Sequence, residues 1–166
     1  FADLRAQIDA VTFTPQNSDE EMTWGESLYA NYTDGMLILH KGQVVYERYF
    51  GCLEEDGKHA IMSMTKSFTG LLAEIMVVEG ALDDTAEIGD SAFASANVRQ
   101  VMDMTTGVKY SEDYSDPNAD IWLYSAAASP LPKPEGYEGP DGYWEYLQQV
   151  EPEGNHGAEF HYKTIN

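Results

Sequence analysis

Basic side chains are scarce in this chain of 166 residues. Nine Lys and Arg stand against 29 Asp and Glu, a formal charge of −20. A phosphate backbone is gripped through a basic face, and nine scattered cations do not make one, which excludes sequence-independent binding of nucleic acid. Cysteine is almost absent: Cys52 stands alone, so no internal disulfide can form. Long apolar runs are missing as well. The longest, Leu71 to Val78, is interrupted by Glu74, and nothing reaches the length needed to cross a bilayer. Leu, Ile, Val and Phe together number only 33, a composition that leans towards disorder at this charge. Eleven Tyr, seven Met and three Trp supply the bulky apolar surface that disordered chains lack. A folded domain with an acidic exterior is therefore expected.

The acidity is not a tail. Residues 1–83 carry 14 acids and 5 bases, and residues 84–166 carry 15 and 4. Even acidity serves solubility; its sharper use is to attract cationic substrates. His40, His59, His156 and His161 have no metal-ligand spacing, and no phosphate-cradling glycine loop or dinucleotide fingerprint occurs, so no cofactor is expected. Asp116-Pro117-Asn118-Ala119-Asp120 opens like a calcium loop. Ile121 stands where that loop needs Gly and Ala127 where it needs Glu, which leaves turn chemistry.

Spacing of apolar residues predicts a short helix over 1–12, through Leu4, Ile8 and Val11, and then a polar connection over 13–34. Met36 to His40 and Val44 to Phe50 read as a hairpin closed at Lys41-Gly42-Gln43. The clearest helix follows a charged loop: Ile61, Met64, Phe68, Leu71, Leu72, Ile75 and Val78 share one face, and Gly80 ends it. A second helix begins at an Asn97 cap, turns Val98, Val101 and Met102 inward and stops at Gly107. Residues 108–141 read as loops, marked by Pro130, Pro132, Pro134, Gly136 and Gly139. A third helix is predicted over 143–150.

One motif carries chemistry: Ser63-Met64-Thr65-Lys66, a Ser-x-x-Lys at the start of the most hydrophobic helix. Positions i and i+3 share a helix face, so Lys66 can bring its amine to the Ser63 hydroxyl. Desolvation would favour the neutral amine, a base for activating the hydroxyl. A helix N-terminus adds free backbone N–H groups for a developing oxyanion. A helix cap followed by a solvated lysine would use the same residues, and the helical wheel does not separate the two.

Met62-Ser63-Met64-Thr65-Lys66-Ser67 resembles the nucleophile motif of the penicillin-recognising serine hydrolases, which include class C β-lactamases, D-alanyl-D-alanine carboxypeptidases and related esterases. Val98 to Gly107 resembles that family's second helix with its terminal Thr-Gly pair, here Thr106-Gly107. Gly157 to Tyr162 resembles the approach to its catalytic tyrosine. The likeness spans roughly residues 30–166. Within the family, Asp34 to Phe50 and Tyr110 to Pro117 are most similar to the 6-aminohexanoate-dimer hydrolases. The resemblance implies a β-lactamase/transpeptidase-like α+β fold, with an antiparallel sheet flanked by helices and a helical region. It implies Ser63 as nucleophile, Lys66 and Tyr162 as base and acid, and Tyr114 as a substrate contact. Class C β-lactamases carry Tyr-x-Asn, but Thr164 stands two residues after Tyr162. Asn166 falls at the fourth position, at the end of a helix expected to start at Tyr162. Thr164 can still bond Lys66 as part of the substrate site, and the change favours small carboxylic esters or linear amides over β-lactams.

Two other readings stand beside this one: β-lactamase or carboxypeptidase activity, and a catalytically silent binding protein of the same fold. The resemblance further implies that residues 1–166 are the N-terminal portion of one domain. A second polypeptide, the rest of the same gene product, would then complete the sheet and supply the second oxyanion donor. Phe1 in place of an initiator Met leaves a removed leader open.

Overall fold

The structure is a computed structural model that describes residues 2–16 and 18–166. It divides into two compact units, residues 1–60 and 61–166.

The first unit opens with helix α1 (Ala2–Asp9), shorter than the expected 1–12. Three elements fall in or reach into the stretch read as a polar connection. Strands β1 (Thr12–Phe13) and β2 (Met22–Thr23) pair antiparallel, and helix α2 (Trp24–Ala30) follows directly. A capping box sets α2: the Thr23 hydroxyl accepts the Glu26 N–H at 3.1 Å, and the Glu26 carboxylate accepts the Thr23 N–H at 2.8 Å. The hairpin is present as β3 (Gly35–His40) and β4 (Gln43–Tyr49), with an irregularity of register between Ile38 and Leu39. Lys41 and Gly42 both have positive φ, 52° and 77°, which closes a turn whose twist matches the strands. Asp9 of α1 holds β4 through the Tyr46 hydroxyl at 2.5 Å and Arg48 at 3.0 Å.

His59 latches the loop after β4. Its Nε2 faces the Asp34 carboxylate at 2.9 Å and its Nδ1 the Ala60 carbonyl at 2.8 Å. Both partners only accept, so both ring nitrogens must carry protons for both bonds to hold. The Asp34 bond, with help from the Ala60 carbonyl, raises the His59 pKa above its usual value. A raised folded pKa contributes stability that is full below the unfolded value, about 6.5, and is lost as pH rises through the folded one. Replacing His59 by Gln is therefore expected to lower the melting temperature at about pH 5.5 and to leave it unchanged at about pH 9. An equal loss at both pH values would show that the charged pair contributes nothing.

The second unit carries a 3-10 turn over Met62–Met64 that runs into helix α3 (Thr65–Val78). Gly80, at φ 72°, ends α3 as expected, with the Ala81 N–H returned to the Met76 carbonyl at 2.8 Å. Helix α4 (Val98–Met102) starts at Asn97 in a second capping box, closed by Gln100. It stops sooner than expected, because Met104 enters the left-handed region at φ 54° before Gly107 is reached. Helix α5 (Asp120–Ala128) lies within the stretch read as loops, and α6 (Tyr143–Leu147) is a shorter form of the third predicted helix. The core gathers Phe93, Ala96, Val108, Tyr110, Ala119, Ile121, Ala127, Tyr146 and Ile165. Within and against it, Tyr110, Tyr124 and Tyr146 meet edge to face, with ring centres 5.3 to 6.4 Å apart.

The apolar stripe of α3 departs from its expected burial. Phe68, Leu71 and Leu72 are 57%, 59% and 61% exposed, and no α3 residue is buried. Polar bonds tether the helix instead. Glu74 receives the fork of Arg99, whose Nε also donates to Asp84 at 2.8 Å, and Lys66 reaches the far end of the unit.

Candidate active site

Chain geometry presents Ser63 before anything else does. Met62 sits at φ 44°, a left-handed conformation that a non-glycine residue adopts at a cost. It turns the chain sharply, and Ser63 lies exposed in the 3-10 turn, two residues ahead of α3. No side chain caps α3, whose N-cap is Met64, so no side-chain oxygen occupies the first amides of the helix. Among the described residues, the Ser63 hydroxyl has no hydrogen-bond partner.

Lys66 does not bond Ser63, as the motif led one to expect. Its half-buried amine donates to the main-chain carbonyls of Thr164 at 2.8 Å and Asn166 at 2.5 Å. The expected bond to Thr164 is thus made by its backbone. An ammonium has three donors, and two are spent here. In this way the first turn of α3 is joined to the segment that carries Tyr162.

That segment lies along the chain after α4. The Gly157 N–H donates to Thr105 O at 2.7 Å, His161 N–H to Met104 O at 2.9 Å, and Glu153 N–H to Gly107 O at 2.8 Å. Gly107 is required by close approach: a Cβ there would stand 2.8 Å from the Asn155 carbonyl carbon and 2.9 Å from that of Gly154. Its N–H donates to His156 Nδ1 at 2.9 Å, which fixes the tautomer with the proton on Nε2. Residues 163–166 form a turn, with Asn166 N–H on Lys163 O at 3.0 Å, where a helix starting at Tyr162 was expected. The Asn166 amide is occupied by the Thr106 hydroxyl and by the His161 carbonyl.

Tyr162 is 37% exposed and stands beside a tyrosine cluster. Burial, then the neighbouring Tyr143, Tyr162 and Glu112, push the Tyr124 phenol up to about 12. Tyr110 is raised further, chiefly by burial, and its hydroxyl is buried with no partner among the described residues. Tyr114 projects from a turn braced by Asp113, whose carboxylate accepts Ser115 N–H at 2.9 Å and is held below its usual pKa by the Ser115 hydroxyl. Its ring meets Trp122 edge to face at 5.7 Å, and 64% of the residue is exposed. Among the described residues its hydroxyl is unpaired, and it bonds none of Ser63, Lys66 or Tyr162.

Sequence reasoning missed two residues here. Glu112 accepts the Thr164 N–H at 2.5 Å, and Lys163 is buried with its amine on the Val108 carbonyl. A hollow of about 580 Å³ belongs to the first unit and is lined by Arg5, Glu47 and Tyr49, none of them residues of this site. Among the described residues no group of three or more His, Cys, Asp or Glu gathers for a metal ion.

The family model described as Beta-lactamase matches residues 28–166. A curated relative, the 6-aminohexanoate-dimer hydrolase of Paenarthrobacter ureafaciens, is 29% identical over 141 residues, which cover 81% of this chain and 35% of the relative. A solved structure from Bacillus anthracis, assigned by name to the 6-aminohexanoate-dimer hydrolases, superposes with a TM-score of 0.75 at 27% identity. That match covers 93% of this chain and 42% of the other. The chain thus spans between a third and a half of the length of these relatives. The helices and antiparallel strands are those of the β-lactamase/transpeptidase-like α+β fold, and the chain belongs to the Beta-lactamase family.

Proposed function

We propose that this chain carries the nucleophile of a serine hydrolase that cleaves small carboxylic esters or linear amides, of the kind the name 6-aminohexanoate-dimer hydrolase describes. The observation that carries the reading is the bridge from Lys66 to Thr164: it joins the Ser-x-x-Lys turn to the Tyr162 segment across 98 residues of sequence. Ser63 Oγ attacks the substrate carbonyl carbon while its proton passes to the Lys66–Tyr162 pair. The oxyanion is met by backbone N–H at the start of α3, and Tyr162 returns the proton to the departing alcohol or amine. Water then releases the acid from Ser63 by the reverse relay. A fluorophosphonate probe tests the assignment. It is expected to add one label to the full chain, at Ser63; absence of label, or label elsewhere, would remove it.

The Asn166 amide supports esters and linear amides over β-lactams. Thr164 replaces the asparagine of Tyr-x-Asn, and the one nearby amide is already held by Thr106 and His161. Tyr114, exposed and with its hydroxyl unpaired among the described residues, is assigned to the leaving group. Tyr114→Phe is expected to lower amide hydrolysis more than ester hydrolysis, because an amine leaves less readily and gains more from an added hydrogen bond. Equal losses in the two kcat values would reassign Tyr114 to packing against Trp122.

The same reading assigns the exposed face of α3 to further polypeptide, present in the longer relatives, which would also bring the second oxyanion donor and make residues 1–166 the N-terminal portion of one catalytic domain. Apolar-dye fluorescence checks it: strong with residues 1–166 alone, weak with a chain of relative-like length.

A further inference from the structure

We infer that Glu112 and Lys163 are positioning residues that set the reactive geometry of Tyr162, an inference that rests on the hydrolase reading above. Three bonds fall on consecutive residues immediately after Tyr162. Lys163 Nζ donates to Val108 O, the Thr164 N–H donates to Glu112 Oε1 at 2.5 Å, and Thr164 O receives Lys66 Nζ at 2.8 Å. The third bond holds the segment to Lys66 in the first turn of α3, directly after the 3-10 turn that carries Ser63. The first two hold it to the stretch running from the core residue Val108 to Glu112. The phenol of Tyr162 is thus placed by anchors at one and two residues' distance.

Lys163 is an expensive anchor. It is 5% exposed, the one buried basic side chain among the described residues, and no carboxylate pairs with it there. A buried ammonium resting on a carbonyl is a poor contribution to stability when a hydrophobic side chain of similar volume would fill the space. What the ammonium adds is direction. Tyr162 is 37% exposed and its neighbour Lys163 almost fully enclosed, so the two side chains point into different surroundings, and fixing one fixes the other. Glu112 adds a charge-assisted bond to an amide of the same turn. Its carboxylate also lies near enough to Tyr110 and Tyr124 to raise both phenols, which places it within the tyrosine cluster.

The experiment compares Glu112→Ala, Glu112→Gln and Lys163→Met in the full chain, with kcat expressed per fluorophosphonate-labelled Ser63. Displacing a catalytic group by about 1 Å costs up to about 100-fold. Glu112→Ala is expected to lower kcat per labelled site by about 10- to 100-fold with KM unchanged. Glu112→Gln keeps an oxygen for the Thr164 N–H and is expected to recover most of the loss. Lys163→Met is expected to follow Glu112→Ala; should it fail to fold, the Glu112 pair decides alone. Unchanged kcat per labelled site in Glu112→Ala, or a loss confined to the number of labelled sites, would overturn the inference and leave a structural role. Full activity in Ser63→Ala would instead overturn the hydrolase assignment, so the two failures are read separately.

Discussion

Ser63→Ala is expected to reduce turnover to the background of the assay, a loss on the order of 10⁴-fold or more, because residues that act as one nucleophilic unit fail together. Lys66→Ala is expected to cost at least about 100-fold, the usual size of a lost general base. The two variants should not be additive: the double variant is expected to be no slower than Ser63→Ala. Geometry gives the reason. Ser63 stands exposed behind the strained Met62, and Lys66 is held by the Thr164 and Asn166 carbonyls in the next turn. Hydrolysis of a p-nitrophenyl ester, with intact mass after fluorophosphonate treatment, measures both effects. Turnover retained in Ser63→Ala would place the nucleophile elsewhere.

Gly107→Ala is expected to destabilise the second unit by about 1–3 kcal/mol or more, the cost of forcing a methyl into packed surroundings. The methyl would meet backbone, which cannot rotate away: Asn155 C at 2.8 Å, and Gly154 C and O at 2.9 Å. The segments at 104–107 and 153–161 would separate, and the Gly107 bond to His156 would stretch with them. Gly70→Ala is the control. Gly70 lies within α3 with nothing within 4 Å of an added Cβ, and alanine there is expected to stabilise residues 1–166 by about 0.5–1 kcal/mol through helix propensity. Melting temperatures of the two variants check this pair, and similar shifts for both would refute the backbone-contact argument.

The parts legible in the sequence were those set by neighbours in the chain. The hairpin shows in its strand residues and in Lys41-Gly42, and α3 shows in its three- and four-residue spacing. Helix α2 was legible too, through Thr23 and Glu26, yet its short apolar content hid it. Helix α5 lay among prolines and glycines that mark loops, with alanines in place of a strong stripe. Periodicity gives the face of a helix but not what covers it, so the exposure of Phe68, Leu71 and Leu72 could not be read. In the site, Ser63 and Lys66 sit within one motif. Glu112 and Lys163 act on residues 52 and 55 positions away, and no local pattern records a partner at that distance.

The bridge from Lys66 to Thr164 also sets an order of assembly. A contact 98 residues apart is non-local, and the loop that it closes must be ordered before the contact returns anything. At a synthesis rate of about 5–20 residues per second, α3 leaves the ribosome roughly 5–20 s before its lysine meets an acceptor. Throughout that interval the helix carries both an unbound cation and an uncovered apolar stripe. The motif that is written first along this stretch of chain is therefore completed last, and the nascent helix is the species that a chaperone or a neighbouring nascent chain would meet.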